Sequence, residues 1–342
     1  MNGIDLYDGI TLYQGDCRDI MRAYPDDHFD AVITDPPYGI AFQGEKWDTA
    51  TPTGFQSWAQ SWGEEALRVI KPGGYLLAFS APRTYHRLTS GLEDAGFEVR
   101  DTMAWIRADG KPAGVDLSSA FDRDTGVLDQ REGRVIERWD TSASATDMSS
   151  YKTNATGKPV TYEAKAWEGW GVGLKPAWEP IVVARRPLEG RLVDNVREHG
   201  TGAMNIRAGM DAVNGAYPPN LLMGEQAMAA AVEQGAPDHV WPVFRYQPKA
   251  PTSERPKVGG VQHVTVKPLE LMRYLVRLVV RPGSLILEPF AGSGTTLQAA
   301  AMENTRAVGC ELDDRYIPLI KARFAQGIEA PLDLFGMGGD AA

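Results

Sequence analysis

Strand-length apolar runs alternate with helix-spaced segments at both ends of this 342-residue chain, and the alternation breaks twice in between. ITLYQGD ends a short strand, Arg18 to Ala23 suits a helix, and Ala31 to Thr34 is a strand. Trp58 to Ile70 has helical spacing, and KPGG (71–74) stops it before the apolar strand YLLAFS. A helix over Thr84 to Ala95 ends at Gly96 and precedes the strand FEVRDTMAWI. The rhythm returns late in the chain. Pro268 fits the first turn of a helix carrying Leu269, Met272, Leu275, Val276 and Val279 on one face. The strand SLILEPF, a helix over Thr295 to Met302, the strand RAVGCEL and a helix over Tyr316 to Phe324 follow. Such a βα rhythm argues for a mostly parallel sheet covered by helices.

Between these ends the pattern fails. From Arg107 to about Ala166 the chain is polar, with TSASATDMSSYKTNATGKP (141–159) reading as a mobile loop. WEPIVVARRP (178–187) is again a strand, and residues 188–262, rich in Gly and Pro, form a second irregular region. One domain split by insertions fits better than two in tandem. The expected organisation takes a sheet domain from residues 1–106, a return strand within 167–187, and residues 263–325. Insertions occupy 107–166 and 188–262, and a flexible tail runs over 326–342.

With 43% hydrophobic residues the chain can bury a substantial core. No run reaches the ~18 apolar residues of a membrane span, and MNGIDLYDGI lacks the features of a signal peptide, so a cytoplasmic location is expected. Cys17 and Cys310 are the only cysteines and the five histidines are scattered, which leaves no disulfide framework and no expected metal site. The net charge of −10 counts against a nucleic-acid partner. A local basic surface would suffice, and candidates are Arg185–Arg186 with Arg191, and FRYQPKAPTSERPK (244–257).

ILEPFAGSGTT (286–296) ends a strand in a Gly-x-Gly turn that opens a helix. Gly292 and Gly294 let the backbone approach a ligand closely. No Gly-Lys-Ser/Thr follows, so a triphosphate loop does not fit, and Leu297 stands where a dinucleotide fingerprint has its third glycine. A purely structural turn remains open on this piece alone. The next strand, however, ends at Glu311, about 20 residues on, where a doubly wound fold places a ribose-binding acid. A glycine turn with a ribose acid and no phosphate machinery suits a nucleoside cofactor without phosphates, such as S-adenosylmethionine.

AVITDPPYGIAF (31–42) leaves a buried strand directly for an acid, two prolines and a tyrosine. DPPY, FAGSGTT and GCELDDRY together resemble an S-adenosylmethionine-dependent DNA amino-methyltransferase of the β class, in which DPPY precedes the glycine turn. HVTVKPLELM (263–272) and YQGDC (13–17) resemble further segments of that family. The resemblance implies a Rossmann-like, circularly permuted α/β fold with about seven strands. It also implies methylation of an amino group on a base extruded from double-stranded DNA. An aromatic amino nitrogen is a poor nucleophile that turns tetrahedral and cationic as methyl arrives, and fixed acceptors stabilise that change. Asp35 can offer a carboxylate and Pro36 a carbonyl. Pro36 and Pro37 make the pair rigid, and Tyr38 gives the base a face to stack on.

By the same resemblance Asp16 contacts the cofactor adenine, and Cys17 lines that pocket or sits in plain core. Glu311, beside Leu312, takes the ribose, and Phe290, Ala291, Gly292, Ser293, Gly294 and Thr295 wrap the methionine end, with Phe290 facing the sulfonium. Lys267 pairs with the cofactor carboxylate or is an exposed lysine before a helix. GEKWD (44–48) is a loop closing over the base through Trp47, or Trp47 packs on the surface. In this family Asp at the first motif position usually accompanies N6-adenine methylation and Ser N4-cytosine methylation, so Asp35 favours adenine. N4-cytosine, RNA and protein-glutamine methylation are the rivals among enzymes, and a silent DNA-binding protein is the rival outside them. Target recognition is expected in 188–262, helped by 107–166. HGTGAMNIRAGM (199–210) with YPPNLL (217–222) resembles segments of phage-borne members. PLDLFG (331–336) resembles the peptide by which bacterial DNA enzymes dock onto the replication sliding clamp, with Pro331 in place of the usual glutamine. The alternative folds Leu334 and Phe335 onto the protein's own surface.

Overall fold

The computed structural model describes residues 2–40, 48, 51–106, 115–133, 157–174, 177–209, 217–224, 233, 250–263 and 265–328. The chain divides into two compact units, one formed by Met1–Arg107 with Trp178–Ala342 and the other by Ala108–Ala177.

The first unit holds the strands β1 (Ile4–Tyr7), β2 (Ile10–Gln14), β3 (Phe29–Thr34), β4 (Ile70–Phe79), β5 (Glu98–Ile106), β6 (Trp178–Arg185) and β7 (Leu221–Met223). A small ladder of β8 (Lys257–Val258) and β9 (Val261–Gln262) stands apart, and β10 (Leu285–Glu288) and β11 (Arg306–Glu311) complete the set. Among the described residues the main sheet has nine strands in the order β1-β2-β11-β10-β3-β4-β6-β5-β7. Only β1 and β6 run against the rest. The sheet is therefore mostly parallel, as expected, with two strands more than expected. The additions are the edge strands IDLY and LLM, too short to show a period of their own.

Helices α1 (Cys17–Arg22), α2 (Pro52–Val69) and α3 (Tyr85–Asp94) cover one face of this sheet. After α4 (Leu117–Asp124) and α5 (Tyr162–Ala166) of the second unit and α6 (Leu192–His199), the helices α7 (Leu269–Val279), α8 (Thr295–Met302) and α9 (Ile317–Ala325) cover the other. Alternate residues of β4 feed the two cores, Tyr75, Leu77 and Phe79 one of them, Leu76 and Ala78 the other. The sheet is doubly wound. Helix α2 starts six residues before the sequence spacing indicates, because Pro52 takes its first turn and the Thr51 side chain caps Gly54 N–H at 3.1 Å. KPGG does not separate helix from strand. It lies inside β4, where the register with β3 shifts.

The second irregular region is partly built into the first unit. Asn195 of α6 donates to Pro72 O and Thr201 O, both at 3.0 Å, which holds this helix on KPGG. β7 extends the sheet edge beside β5.

The second unit runs on to Ala177, past the expected boundary at 166, and the return strand β6 follows it from Trp178. It contains α4 (Leu117–Asp124) and α5 (Tyr162–Ala166). Their organising contact is an ion pair, Arg131 to Asp122 at 2.6 Å, with both side chains fully buried. Asp122 also accepts from Val160 N–H, Thr161 N–H and the Thr161 hydroxyl. A core built around a buried charge pair has little apolar periodicity, which is why the sequence there reads as loop.

Candidate active site

Strands β3 and β10 are parallel neighbours, with Ala31 opposite Ile286 and Val32 opposite Leu287. Asp35 and the glycine turn therefore leave the sheet at the same carboxyl edge. The next strands outward, β11 and β2, bring Glu311 and Asp16 to that edge, and Gly15 N–H donates to Glu311 O at 2.9 Å. Strand β6 is reversed, so its first residues lie there too. The chain contains three acid–proline dipeptides, Asp35–Pro36, Glu179–Pro180 and Glu288–Pro289, and all three sit at this edge. A residue before proline is driven to extended geometry, which suits the place where a strand stops.

Around DPPY the side chains form one network. The Tyr38 hydroxyl donates to Asp35 Oδ1 at 2.8 Å, with Glu179 Oε2 at 3.2 Å as a second acceptor sharing the same proton. Lys267 Nζ donates to Asp35 Oδ2 at 2.6 Å and to the Tyr38 hydroxyl at 3.0 Å, and lies 3.6 Å from Glu179 Oε2. Its ammonium is 4.8 Å from the centre of the Phe79 ring. Burial and the two carboxylates push the Tyr38 phenol well above its usual pKa, so it remains a donor. Asp48 holds the loop that follows, accepting from Tyr38 N–H at 2.6 Å, Gly39 N–H at 2.8 Å and Ile40 N–H at 3.2 Å.

The glycine turn needs its glycines. Gly292 and Gly294 have φ of +52° and +80°, and a Cβ on them would stand 3.0 Å from His263 Nε2 and 2.9 Å from Ile320. Glu311 ties the turn down by accepting from Gly292 N–H at 2.7 Å and from Asp313 N–H at 2.8 Å. Burial pushes its carboxyl up to about 7 against those bonds. Arg323, buried, donates to Ser293 O at 2.7 Å, and the Ser293 and Thr295 hydroxyls are 3.1 Å apart. Phe290 packs against Trp58 and Trp62 of α2, with ring centres 5.4 and 5.5 Å away. His263 lies edge-on to Tyr316, and burial lowers its pKa. Between turn and DPPY sits Glu288, whose Oε1 accepts from the Thr34 hydroxyl at 2.5 Å and from Phe290 N–H at 3.0 Å, and whose Oε2 shares a hydrogen bond of 2.5 Å with the Thr296 hydroxyl. Burial pushes it up to about 8.

The structure thus brings Asp35, Pro36, Pro37 and Tyr38 together with Lys267, and Glu311 together with residues 290–295. Of the two places expected for Lys267, the exposed one is excluded: the side chain is 8% exposed and pairs with Asp35 and Glu179. Asp16 caps α1 at Arg18 N–H and pairs with the Arg18 guanidinium at 2.5 Å, which holds its carboxyl below the usual range. Cys17 is buried in the α1–α2 core, its thiol pushed up to about 12 by burial. Leu312 is 66% exposed beside Glu311. Of the arginines taken as a basic surface, Arg185 and Arg186 are engaged within the fold, while Arg191 stays exposed beside Asp194. Arg185 pairs with Glu98, Arg186 with Asp27 and Ile70 O, and Arg191 with Asp194. Trp47 of GEKWD, residues 244–249 of the second basic stretch and the tail segment PLDLFG lie outside the described residues.

Glu179, Glu288, Asp48, His263 and Arg323 are site neighbours that motif reading did not single out. The acid–proline pattern would have found the first two. Asp48 and His263 lie in the quoted segments GEKWD and HVTVKPLELM, but their contacts to backbone groups of 38–40 and to the glycine turn carry no local signal, and neither does Arg323.

The family model described as DNA methylase (N6_N4_Mtase) matches residues 29–322 of the chain. The type II methyltransferase M.HindIII of Haemophilus influenzae is 27% identical over 267 residues, which span 77% of this chain and 67% of that protein. The type II methyltransferase M.BamHI of Bacillus amyloliquefaciens is 32% identical over 74 residues, 21% of this chain and 18% of that one. Among solved structures, the PvuII DNA methyltransferase (cytosine-N4-specific) superposes with a TM-score of 0.52 at 15% identity, covering 92% of this chain and 86% of that one.

Proposed function

This chain belongs to the N6/N4 DNA methylase family, and on that premise we propose that it transfers a methyl group from S-adenosylmethionine to the N6 amino group of an adenine extruded from duplex DNA. The observation that carries the reading is the adjacency of Asp35 and the Gly292 turn on neighbouring parallel strands, which sets a base-amino acceptor beside a nucleoside cradle.

The residues fit this cofactor. Gly292 and Gly294 keep the backbone open where side chains would collide with His263 and Ile320. The Glu311 carboxylate uses one lone-pair site on each oxygen for backbone N–H groups and keeps others for ribose hydroxyls. Phe290, beside the turn, is the aromatic ring proposed to face a cationic centre. When bound, S-adenosylmethionine supplies an electrophilic methyl group on a sulfonium.

The protein's part is to hold the nucleophile. Tyr38 stacks the extruded base, and Asp35 and the Pro36 carbonyl accept its amino N–H bonds. As the nitrogen becomes cationic those acceptors strengthen, so their stabilisation falls on the transition state. The acid at the first motif position supports adenine over cytosine. Target recognition is assigned to residues 188–262.

The test uses unmethylated genomic DNA and labelled cofactor, with nucleosides separated by mass spectrometry. N6-methyladenine is expected from wild type and at most about 1% of it from Asp35→Ala, the scale of losing one preorganised transition-state contact. N4-methylcytosine would keep the mechanism and overturn the base. An active Asp35→Ala would overturn the mechanism.

A further inference from the structure

The DPPY network contains more charge than acceptor chemistry needs. An ammonium with little exposure is stable only when it is paired, and Lys267 is paired twice, with Asp35 and with Glu179. One hydroxyl, that of Tyr38, touches all three groups. Two carboxylates bonded to the same hydroxyl repel each other, and the cation between them removes that repulsion. The two outer members come from far along the chain: Lys267 precedes α7, and Glu179 opens β6 where the inserted unit rejoins the sheet, with Trp178 paired to Ile106.

We infer that Lys267 and Glu179 are positioning residues for the methyl-transfer step, acting as one unit that fixes the Asp35 carboxylate and the Tyr38 ring before a base arrives. Lys267 pins Asp35 through Oδ2, so the carboxylate cannot rotate and its remaining lone pairs point in a fixed direction. Glu179 and Lys267 together anchor the Tyr38 hydroxyl, and the hydroxyl sets the ring as a stacking platform. Preorganisation of this kind raises the rate at saturation rather than the affinity for DNA. The inference deepens the methyltransferase reading and rests on it for the substrate, but its structural half stands on the free protein. It also departs from the expectation that Lys267 serves the cofactor carboxylate.

The experiment compares wild type, Lys267→Met, Glu179→Gln and the double variant. Single-turnover methyl transfer to unmethylated genomic DNA is measured beside calorimetric affinity for S-adenosylmethionine and DNA affinity of the cofactor-free protein. Lys267→Met is expected to slow the single-turnover step by about 100-fold and Glu179→Gln by about 10-fold, with both affinities within about 3-fold of wild type. The double variant should be no slower than Lys267→Met, because groups acting as a unit are not additive. Costs that multiply, or a cofactor affinity that collapses while the saturated rate holds, would overturn the inference. A second readout needs no activity. With tyrosine rings 13C-labelled and the Tyr38 resonance assigned by Tyr38→Phe, the free Glu179→Gln and Lys267→Met proteins should show that resonance shifted or broadened. An unchanged Tyr38 resonance sinks the positioning role whatever the enzyme acts on. A wild type that methylates nothing sinks the proposed function and leaves the resonance to decide this inference alone.

Discussion

Glu288 accepts a hydrogen bond from the Thr34 hydroxyl at 2.5 Å, joining the strand that carries DPPY to the strand that carries the glycine turn. The carboxyl is 1% exposed, and burial pushes its pKa from 4.5 to about 8. Glu311, at the other end of the turn, is raised to about 7 in the same way. Both groups stay protonated in the folded protein over a range where the unfolded chain has ionised them. Their contribution to stability is therefore full below about pH 4.5, and it is lost as pH rises through about 7 and then about 8.

Glu288→Gln keeps the shape of the protonated side chain and cannot ionise. The melting temperature of wild type should fall from pH 5 to pH 8, and that of Glu288→Gln should fall less steeply over the same interval. Melting curves recorded in a constant-ionic-strength buffer series decide the matter. Parallel curves for the two proteins would remove Glu288 as a titrating group.

The acid–proline dipeptides show how much of this site was legible in the sequence. Asp35 was found because DPPY has recognisable chemistry, and the glycine turn because its φ values demand glycine. Glu179–Pro180 and Glu288–Pro289 carry the same local signal, an acid closing or opening an apolar run, yet their role depends on which strands become neighbours. Strand order is long-range information. β3 and β10 are some 250 residues apart in sequence and adjacent in the sheet. The same limit explains Lys267, whose place beside Asp35 follows from the sheet order and the position of α7. The second unit was illegible for another reason. Among its described residues the central contact is the buried Asp122–Arg131 pair, and hydrophobic periodicity cannot report a contact made of charges.

That pair makes its own prediction. Removing one partner of a buried ion pair leaves the other charge unpaired and destabilises by about 3–5 kcal/mol. Arg131→Met should therefore loosen residues 115–133 and 157–174 while the sheet unit keeps its protection. Hydrogen exchange with mass spectrometry separates the two outcomes, and a uniform rise in exchange across both units would show that the pair supports more than its own unit.

Glu311→Ala removes the acceptor of Gly292 N–H and Asp313 N–H together with the lone pairs left for ribose hydroxyls. Affinity for S-adenosylmethionine should fall by about 1–3 kcal/mol, the scale of hydrogen bonds to a charged group. Titration calorimetry at pH 8.5, above the raised pKa of about 7, measures it with the wild-type carboxylate ionised. An affinity equal to wild type would take the ribose assignment away from Glu311.

Tyr38 is asked to do two things, and two substitutions separate them. Its ring is the stacking face proposed for the base, and its hydroxyl is the node that touches Asp35, Glu179 and Lys267. Tyr38→Phe keeps the face and deletes the node. Tyr38→Ala deletes both. If stacking captures the extruded base, Tyr38→Ala should weaken binding to DNA with the target base unpaired by about 1–3 kcal/mol, and Tyr38→Phe should bind almost as wild type does. The loss in Tyr38→Phe should fall instead on the saturated rate, because Asp35 Oδ1 loses its donor and the ring loses its anchor. Fluorescence anisotropy with mismatch-containing DNA gives the affinities, and single-turnover methylation gives the rates. Equal affinities for Ala and Phe would mean that the base rests on something other than this ring. A Phe variant with the full wild-type rate would mean that the hydroxyl network is structural and that Asp35 finds its orientation without it.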